Sequence, residues 1–112
     1  AMLALSLSEG ITLTRKAGFD PEVFLKILNS TYFKTGMSEG KAYKMIQDDF
    51  TPTFTLENLK KDLGTINDAA KSFGANLPMA ERADEVYQNA IEAGFSNIDY
   101  TGILAYLKKI SS

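Results

Sequence analysis

The sequence predicts an all-α fold, a helical bundle of about six helices that fills one domain over residues 1–112. Three observations support this class. The length suits one domain with one core. Apolar residues recur at intervals of three and four, and no segment alternates convincingly as a half-buried strand would. Helix caps and short connections separate the periodic segments, without internal repeats or low-complexity tracts.

The first two helices are separated by a short break that ends in Asp20 and Pro21. The first helix stops at basic residues followed by Gly18, which favours a helix end. Asp20 is a suitable cap and Pro21 a suitable first residue for the second helix. No cap precedes Met2, so we expect the first helix to be the back half of a longer one. The apolar positions of the two helices are Leu3, Leu7, Ile11, Leu13, Val23, Phe24, Ile27 and Leu28.

Two more helices are predicted on either side of a Thr-Pro-Thr linker at residues 51–53. Ser38 can cap the third helix, and Thr55 begins the fourth, which is the longest and ends at Gly74. The proline of the linker prevents the two helices from joining. Their apolar positions are Ala42, Tyr43, Met45, Ile46, Leu56, Leu59, Leu63, Ile66, Ala70 and Phe73.

The last two helices complete the bundle. Pro78 opens the fifth, which runs to Gly94, and Asp99 can cap the sixth. Their apolar positions are Met79, Ala83, Val86, Tyr87, Ala90, Ile91, Ile103, Leu104, Leu107 and Ile110. The six helices account for almost the whole chain, so a second domain does not fit in it.

Composition excludes several classes of function. Twelve Lys and Arg side chains oppose fourteen Asp and Glu, for a net charge of −2, so no basic stripe offers a surface to nucleic acid. The chain has no His and no Cys, which excludes imidazole and thiolate metal sites, disulfides and His-dependent triads. No apolar run reaches the roughly 20 residues that a bilayer span needs, and no secretory signal is evident. We therefore expect a cytoplasmic location.

The segment Gly36-Met-Ser-Glu-Gly40-Lys41 has the look of a phosphate-binding loop but lacks its requirements. One spacer residue is missing, Ala42 stands where the magnesium-binding hydroxyl belongs, and no strand precedes the segment. We interpret it as a loop that enters a helix.

A polar stripe flanks the leucine face of the longest predicted helix. Asn58, Lys61, Asp62 and Thr65 recur at i, i+3, i+4 and i+7, and residues at these intervals share one side of a helix. Asp62 is expected near the edge of the buried face and Lys61 farther out. The stripe is either a wall that contacts a polar ligand or an ordinary solvated flank, and periodicity alone favours the flank.

The longest helix and the linker before it also carry a family resemblance. The stretch Phe50-Thr-Pro-Thr-Phe54-Thr-Leu-Glu-Asn-Leu-Lys-Lys61-Asp62-Leu63, followed by Asp68-Ala-Ala70 and Pro78, resembles the signature of the C-terminal domain of β-hydroxyacid dehydrogenases, the 3-hydroxyisobutyrate dehydrogenase family. Ala17-Gly18-Phe19-Asp20-Pro21 and Leu28-Asn29-Ser30-Thr31 resemble two further turns of that domain. Tyr87, Gly94 and Asp99 resemble the tail of that domain, so the resemblance covers nearly the whole chain.

The resemblance implies that residues 1–112 are an all-helical C-terminal substrate and dimerisation domain, of the type found in 6-phosphogluconate dehydrogenase-like enzymes. Family members join this domain to an N-terminal Rossmann domain that binds NAD or NADP, and that domain is absent from this chain. The implied partners are the Rossmann domain, further copies in a homodimer or higher homo-oligomer, and a small hydroxy acid or semialdehyde substrate. Metal, nucleic acid and membrane are not implied.

The resemblance also implies roles for three residues. Lys61 matches a lysine that reaches the cofactor across the interdomain cleft, Asp62 matches the neighbouring acid of the substrate cleft, and Phe54 matches an aromatic ring beside substrate and nicotinamide. The family's catalytic lysine lies upstream in a GxxxKxxN-type motif that this sequence lacks. Lys16 does not match that motif, so we expect no catalytic residue in this chain.

Two hypotheses of different classes follow. In the first, the chain is a domain of an NAD(P)-dependent 3-hydroxy acid dehydrogenase or semialdehyde reductase, and it is inactive alone. In the second, it is a stand-alone helical interaction module that kept the fold and lost catalysis. The substrate, and the choice between NAD and NADP, depend on regions outside this sequence.

Overall fold

The all-α fold is confirmed by a computed structural model that describes all 112 residues. The helices are α1 (Met2–Lys16), α2 (Pro21–Asn29), α3 (Gly36–Glu39), α4 (Lys41–Ile46), α5 (Leu56–Phe73), α6 (Pro78–Glu92) and α7 (Ile103–Ile110), with a 3-10 turn at Tyr100–Gly102 before α7. The only β feature is an isolated bridge between Thr55 and Asp99. None of the helices is long and apolar enough to cross a membrane.

Two clusters of buried side chains form the core. The first packs α1 and α2 against α4 and α7, through Leu7, Ile11, Leu25, Ala42, Met45 and Leu104. The second packs α5 against α6 and α7, through Leu56, Leu63, Ala83, Tyr87, Ala90 and Ile103. Ile103 and Leu104 are neighbours at the start of α7, so this helix joins the two clusters into one bundle.

The predicted start of the second helix and the predicted start and end of the fourth are confirmed. The Asp20 carboxylate accepts a hydrogen bond from the Glu22 amide at 2.9 Å, and the Thr55 hydroxyl accepts one from the Asn58 amide at 3.2 Å. Gly74 ends α5 at a φ of 70°, a left-handed conformation that favours glycine. These local signals fix the register of α5, and with it the position of the polar stripe on its surface.

The third predicted helix is in fact two helices, so the prediction that Ser38 caps a single helix is wrong. Thr35 caps α3, and Ser38 lies inside it, where its hydroxyl accepts a hydrogen bond from the Thr35 amide at 2.8 Å. This reciprocal arrangement is a capping box. Gly40 then adopts φ −120° and ψ −84°, outside the helical region, and α4 starts afresh at Lys41. The bundle therefore has seven helices rather than about six.

Several residues assigned to buried faces by periodicity are exposed instead. Phe73 is 87% exposed, because the buried stripe of α5 runs through Leu56, Leu63 and Ala70 and Phe73 is rotated about 60° from Ala70. Leu13, near the end of α1, is 72% exposed. Leu3, Ile66, Met79 and Ile110 are exposed as well.

The buried face of α2 is rotated from the predicted one. Leu25, which the pattern did not select, is fully buried, whereas Val23 and Ile27 are exposed. Phe24 and Leu28 pack against the first core cluster, as predicted. Apolar residues occupy so much of this short helix that spacing alone does not identify the face that packs.

Candidate functional site

The candidate site lies where the loop of residues 50–55 leads into α5. Four backbone hydrogen bonds attach this loop and the first turn of α5 to residues 96–100, the segment between α6 and α7. The amides of Asp99, Tyr100 and Leu56 donate to the carbonyls of Phe50, Phe54 and Ile98, each at 2.9 Å, and the Glu57 amide donates to the Ser96 carbonyl at 3.1 Å. The loop is therefore built into the folded framework.

These contacts occupy the amides at the N-terminus of α5. Leu56 and Glu57 donate to backbone carbonyls, and Asn58 donates to the Thr55 hydroxyl. Free amides at a helix N-terminus bind anions readily, but the amides of residues 56–58 are already used here. An anion at this end of α5 has to be bound by side chains.

The carboxylate of Asp99 is the centre of the loop's hydrogen bonds. The residue is 1% exposed. Its Oδ1 accepts from the amides of Thr53 at 3.0 Å and Phe54 at 3.2 Å, and from the Thr53 hydroxyl at 3.1 Å. Its Oδ2 accepts from the Thr101 hydroxyl at 2.6 Å and the Thr101 amide at 3.2 Å. The prediction that Asp99 caps the last α-helix is wrong: Asp99 caps the 3-10 turn that precedes α7, and α7 itself begins after Gly102 without a side-chain cap. Asp99 also anchors the loop.

These donors keep Asp99 ionised. Burial by itself raises the pKa of a carboxyl group, because it disfavours the charged form. The hydrogen bonds from Thr101, Thr53, Lys41 and Phe54 outweigh burial and hold the pKa of Asp99 well below its usual value. The loop is thus attached to a permanent negative charge across the ordinary pH range.

Lys41 supplies the positive charge. Its Nζ lies 3.0 Å from Asp99 Oδ2, donates to the Thr53 hydroxyl at 2.9 Å, and sits 4.1 Å from the centroid of the Tyr100 ring. A cation at this distance from an aromatic ring is attracted to it. The ammonium group is therefore used inside the chain. The interpretation of residues 36–41 as a loop that enters a helix is wrong, because Gly36–Glu39 form α3 and α4 starts at Lys41.

Phe54 lies at the surface end of this arrangement. Its ring is 39% exposed and meets the Tyr100 ring edge to face, with 6.4 Å between centroids and 70° between planes. Aromatic pairs prefer such geometry. One side of Phe54 is therefore packed and the other faces solvent.

The adjacent lysines Lys60 and Lys61 of α5 have different surroundings. Lys60 Nζ lies 2.9 Å from Asp84 Oδ1 on α6, so this lysine joins two helices. Lys61 is exposed, and its ammonium lies within 4 Å of no carboxylate in the chain. Lys61 is therefore available to an anionic or hydroxyl-bearing group from outside.

Asp62 is exposed too, and its carboxylate makes no ion pair within the chain. We expected it near the edge of the buried face, whereas both Asp62 and Lys61 face solvent. Lys61 lies about 9 Å along the helix axis from Thr55, at 1.5 Å per residue. The structure thus places Phe54, Lys61 and Asp62 at the same end of α5, and no hydrogen bond joins them. Nowhere in the chain do three or more acidic residues form a group that could hold a metal ion.

Comparison with known proteins identifies the family. Residues 1–107 match the family model described as "NAD-binding of NADP-dependent 3-hydroxyisobutyrate dehydrogenase". The chain belongs to this family. The cofactor class of the 3-hydroxyisobutyrate dehydrogenase family is accordingly NAD or NADP.

Two curated relatives of the 3-hydroxyisobutyrate dehydrogenase family match over most of the chain. Glyoxylate/succinic semialdehyde reductase 2 of Arabidopsis thaliana, named as chloroplastic, is 30% identical over 107 residues, which cover 96% of this chain and 30% of that protein. L-threonate dehydrogenase of Haemophilus influenzae is 27% identical over 104 residues, which cover 93% of this chain and 35% of that protein. The chain spans about a third of the length of these relatives.

The fold also occurs in a solved structure of the 3-hydroxyisobutyrate dehydrogenase family. The crystal structure of 3-hydroxyisobutyrate dehydrogenase from Salmonella typhimurium superposes with a TM-score of 0.85 at 24% identity, and the match covers 92% of this chain and 36% of that one. At this level of identity, the likeness establishes the architecture.

Sequence reasoning missed two members of the loop's anchor. Lys41 and Tyr100 were not predicted as site residues, and Asp99 was predicted only as a helix cap and as part of the tail that resembles the family. Lys41 and Asp99 are 58 positions apart in the sequence, so no local sequence pattern predicts their contact. The available signal was the run of hydroxyl donors at Thr51, Thr53 and Thr55, which suits a carboxylate partner but does not identify it.

Proposed function

We propose that this chain is the helical wall of the cofactor and substrate cleft in an NAD(P)-dependent 3-hydroxy acid dehydrogenase or semialdehyde reductase. One observation carries the proposal: in a chain of the 3-hydroxyisobutyrate dehydrogenase family, Lys61 presents an exposed, unpaired ammonium in the second turn of α5, the helix that follows the loop of Phe54. The names of the relatives, a semialdehyde reductase and a hydroxy acid dehydrogenase, support the substrate class.

Lys61 is the residue proposed to contact the dinucleotide. An ammonium group carries three donors and a point charge, which suit phosphate oxygens and ribose hydroxyls. The side chain is exposed and has no internal carboxylate partner, so a ligand does not have to displace an ion pair. Because the amides of residues 56–58 are occupied, a ligand at this end of α5 must be bound by side chains, and Lys61 is the exposed cation among them.

Phe54 and Asp62 are proposed to complete this side of the cleft. The exposed side of the Phe54 ring offers an apolar surface to a flat nicotinamide ring and displaces water from it. Asp62 has a free carboxylate that can accept hydrogen bonds from ribose or substrate hydroxyls, or pair with a cation of the neighbouring domain.

The chemical step is assigned to the parent enzyme rather than to this chain. The bound nicotinamide supplies or accepts the hydride. A lysine on the upstream connecting helix moves the proton on the substrate oxygen as general acid or base, and this chain holds and orients the bound molecules. We therefore expect the chain alone to turn over neither L-threonate nor succinic semialdehyde with either nucleotide.

We also propose two protein partners. The first is the N-terminal Rossmann domain of the parent enzyme, which supplies the other wall of the cleft. The second is another copy of the chain, bound through α1 and its neighbours, because Leu3 and Leu13 are exposed apolar residues of that helix and uncovered apolar area favours association. Sedimentation equilibrium tests the second partner, and a strictly monomeric mass at high concentration would exclude it. The cytoplasmic location is likewise a proposal, for cell fractionation to test.

The alternative function, a stand-alone interaction module, makes a different prediction. The same exposed apolar residues of α1 and α2 would then be the functional surface, and Lys61 would be an ordinary solvated lysine. Substitution of Lys61 or Asp62 would leave partner affinity unchanged, and NAD(P) would not bind.

The decisive experiment is a titration of the chain with NADP⁺ and NAD⁺, followed by the amide shifts in NMR spectra. We expect weak binding, with the largest shifts at residues 54–65, and at least a several-fold weaker affinity in Lys61→Met. Lys71→Met is the matched control, because Lys71 is an exposed lysine on the same helix without an ion pair. Shifts that are absent at millimolar nucleotide, or equal loss in both variants, would refute the proposal.

A further inference from the structure

We propose that Lys41 and Asp99 are positioning residues for the cleft: together they fix Phe54 and the entrance of α5 from within this chain, before any cofactor or substrate binds. The inference rests on the proposed function of Phe54 as a cleft residue. Neither Lys41 nor Asp99 belongs to the buried apolar clusters, and neither is implied in binding by the family resemblance.

The first argument is the number of elements that one carboxylate joins. Asp99 accepts hydrogen bonds from α4 through Lys41, from the loop through Thr53 and Phe54, and from the 3-10 turn through Thr101. Hydrogen bonds to a charged acceptor are stronger than those between neutral groups. Three segments that are distant in sequence are thus held at one buried point, next to the residue proposed to face the ligand.

The second argument is that Lys41 acts on Phe54 by two routes. Its ammonium balances the Asp99 charge that the Phe54 amide is bonded to. It also lies over the Tyr100 ring, and the Tyr100 ring packs against the ring of Phe54. The backbone and the side chain of Phe54 are therefore both connected to the same cation.

The third argument is preorganisation. A binding surface that is already ordered does not lose conformational entropy when the ligand arrives. The loop of residues 50–55 contains exposed threonines and a proline, and such a segment is mobile unless long-range contacts hold it. Backbone hydrogen bonds to Phe50 and Phe54 supply some of those contacts, and the Lys41–Asp99 pair adds the side-chain contacts that make the aromatic wall a fixed feature of this chain.

The test compares Lys41→Met with Lys41→Arg by amide hydrogen exchange and by the ring resonances of Phe54. In Lys41→Met we expect exchange at Thr53 and Phe54 to accelerate about tenfold, the equivalent of one lost hydrogen bond, and the Phe54 ring shifts to move toward random-coil values. Amides of α6 should be unaffected. Lys41→Arg keeps the cation and should restore both signals. Lys44→Met is the control, because Lys44 is an exposed lysine of the same helix without an ion pair.

Thr53→Val is a second variant that tests the same proposal if Lys41→Met does not fold. Thr53 is exposed, and the change removes only the hydroxyl that contacts both Lys41 and Asp99. We expect exchange at the Phe54 amide to rise about threefold. Unchanged exchange at Phe54 in this variant would overturn the proposal.

Three other results would overturn it. They are unchanged exchange at Phe54 in Lys41→Met, an equal acceleration across every helix, and failure of Lys41→Arg to restore the signals. The nucleotide titration is a separate readout. If the loop loosens in Lys41→Met but NADP⁺ shifts no amide near Lys61 in the unaltered chain, the proposed function fails while the positioning of the loop stands.

Discussion

The loop of residues 50–55, in the connection between α4 and α5, and the turn of residues 30–35, between α2 and α3, are held in opposite ways. The first is bonded through Asp99 and backbone pairs to residues 45 or more positions away. The second relies on contacts within a few residues, such as the Thr31 hydroxyl donating to the Leu28 carbonyl at 2.7 Å. Tyr32, in that turn, is 97% exposed.

The difference separates two uses of exposed aromatic residues. Phe54 is partly exposed but packed on one side and anchored through its own amide. Tyr32 and Phe33 are both strongly exposed and meet edge to face, with 6.5 Å between ring centroids. A ring that is exposed yet fixed suits a preformed binding surface, whereas a ring on a locally held turn does not need a defined position.

The largest expected effect is that of Asp99→Asn on the anchored loop. The amide side chain keeps the shape but loses the charge, and its NH₂ group faces the donors of Lys41 or Thr101. We expect the free energy of unfolding to fall by about 3 kcal/mol, as measured by urea denaturation. Asp68→Asn, at an exposed position of α5, should change it by less than about 0.5 kcal/mol. Equal effects of the two substitutions would show that the anchor contributes nothing.

The anchored loop should keep its amide protection until the pH falls well below the usual pKa of an aspartate. Hydrogen bonds lower the pKa of Asp99, so its stabilisation is fully present above the unfolded-state pKa, near 4, and is lost as the pH falls through the lowered folded-state value. We expect amide protection at residues 53 and 54 to persist at pH 3 and to disappear only under more acidic conditions.

The Asp99→Asn variant is the control for this acid profile. It should lack the acid transition at residues 53 and 54, even though Asp49, whose pKa is lowered by hydrogen bonds from Thr51, still titrates. A midpoint near pH 4 at these two amides in the unaltered chain would contradict the assignment.

Phe54→Ala should have an intermediate effect. A fully buried phenylalanine typically loses 3–5 kcal/mol on truncation to alanine, and the 39% exposure of this ring reduces our expectation to about 2 kcal/mol. The measurement is again urea denaturation, with Phe33→Ala as the comparison in the locally held turn. A loss of 4 kcal/mol or more would make Phe54 a core residue and remove it from the cleft.

The smallest effect is expected for Thr35→Ala, at the end of the locally held turn. The change removes the capping box of α3 and should cost about 1 kcal/mol. Hydrogen exchange should rise at residues 36–39 and stay unchanged at residues 53 and 54. Accelerated exchange in both places would mean that the two segments are coupled rather than independent.

The sequence predicted what local signals control. Caps at Asp20 and Thr55 and the glycine at position 74 determine helix boundaries within a few residues, so α2 and α5 were located correctly. The family resemblance also predicted how the helices are assembled, as an all-helical C-terminal domain. The split between α3 and α4 was missed because Ser38 suits two roles, a cap and a member of a capping box, and only the conformation of Gly40 decides between them.

Long-range contacts explain what the sequence could not predict. Lys60 and Lys61 are indistinguishable locally, and only Asp84 on the neighbouring helix separates the paired lysine from the free one. The anchoring role of Asp99 depends on Lys41, which is 58 positions away. The roles of Phe54, Lys61 and Asp62 in binding therefore stay predictions that their exposure makes feasible.

Affinity labelling with periodate-oxidised NADP⁺ tests the central claim, that Lys61 contacts the dinucleotide, most directly. The 2′-phosphate protects the adenosine ribose, so the reactive dialdehyde forms at the nicotinamide ribose. Lysines near the dialdehyde condense with it to form imines and release water. Cyanoborohydride reduces these imines to stable amines, which mass spectrometry identifies. We predict preferential labelling of Lys61, weak labelling of the ion-paired Lys60, and protection by excess NADP⁺. Equal labelling of Lys61 and of Lys44 and Lys71, which are exposed and make no ion pair, unaffected by NADP⁺, would contradict the account.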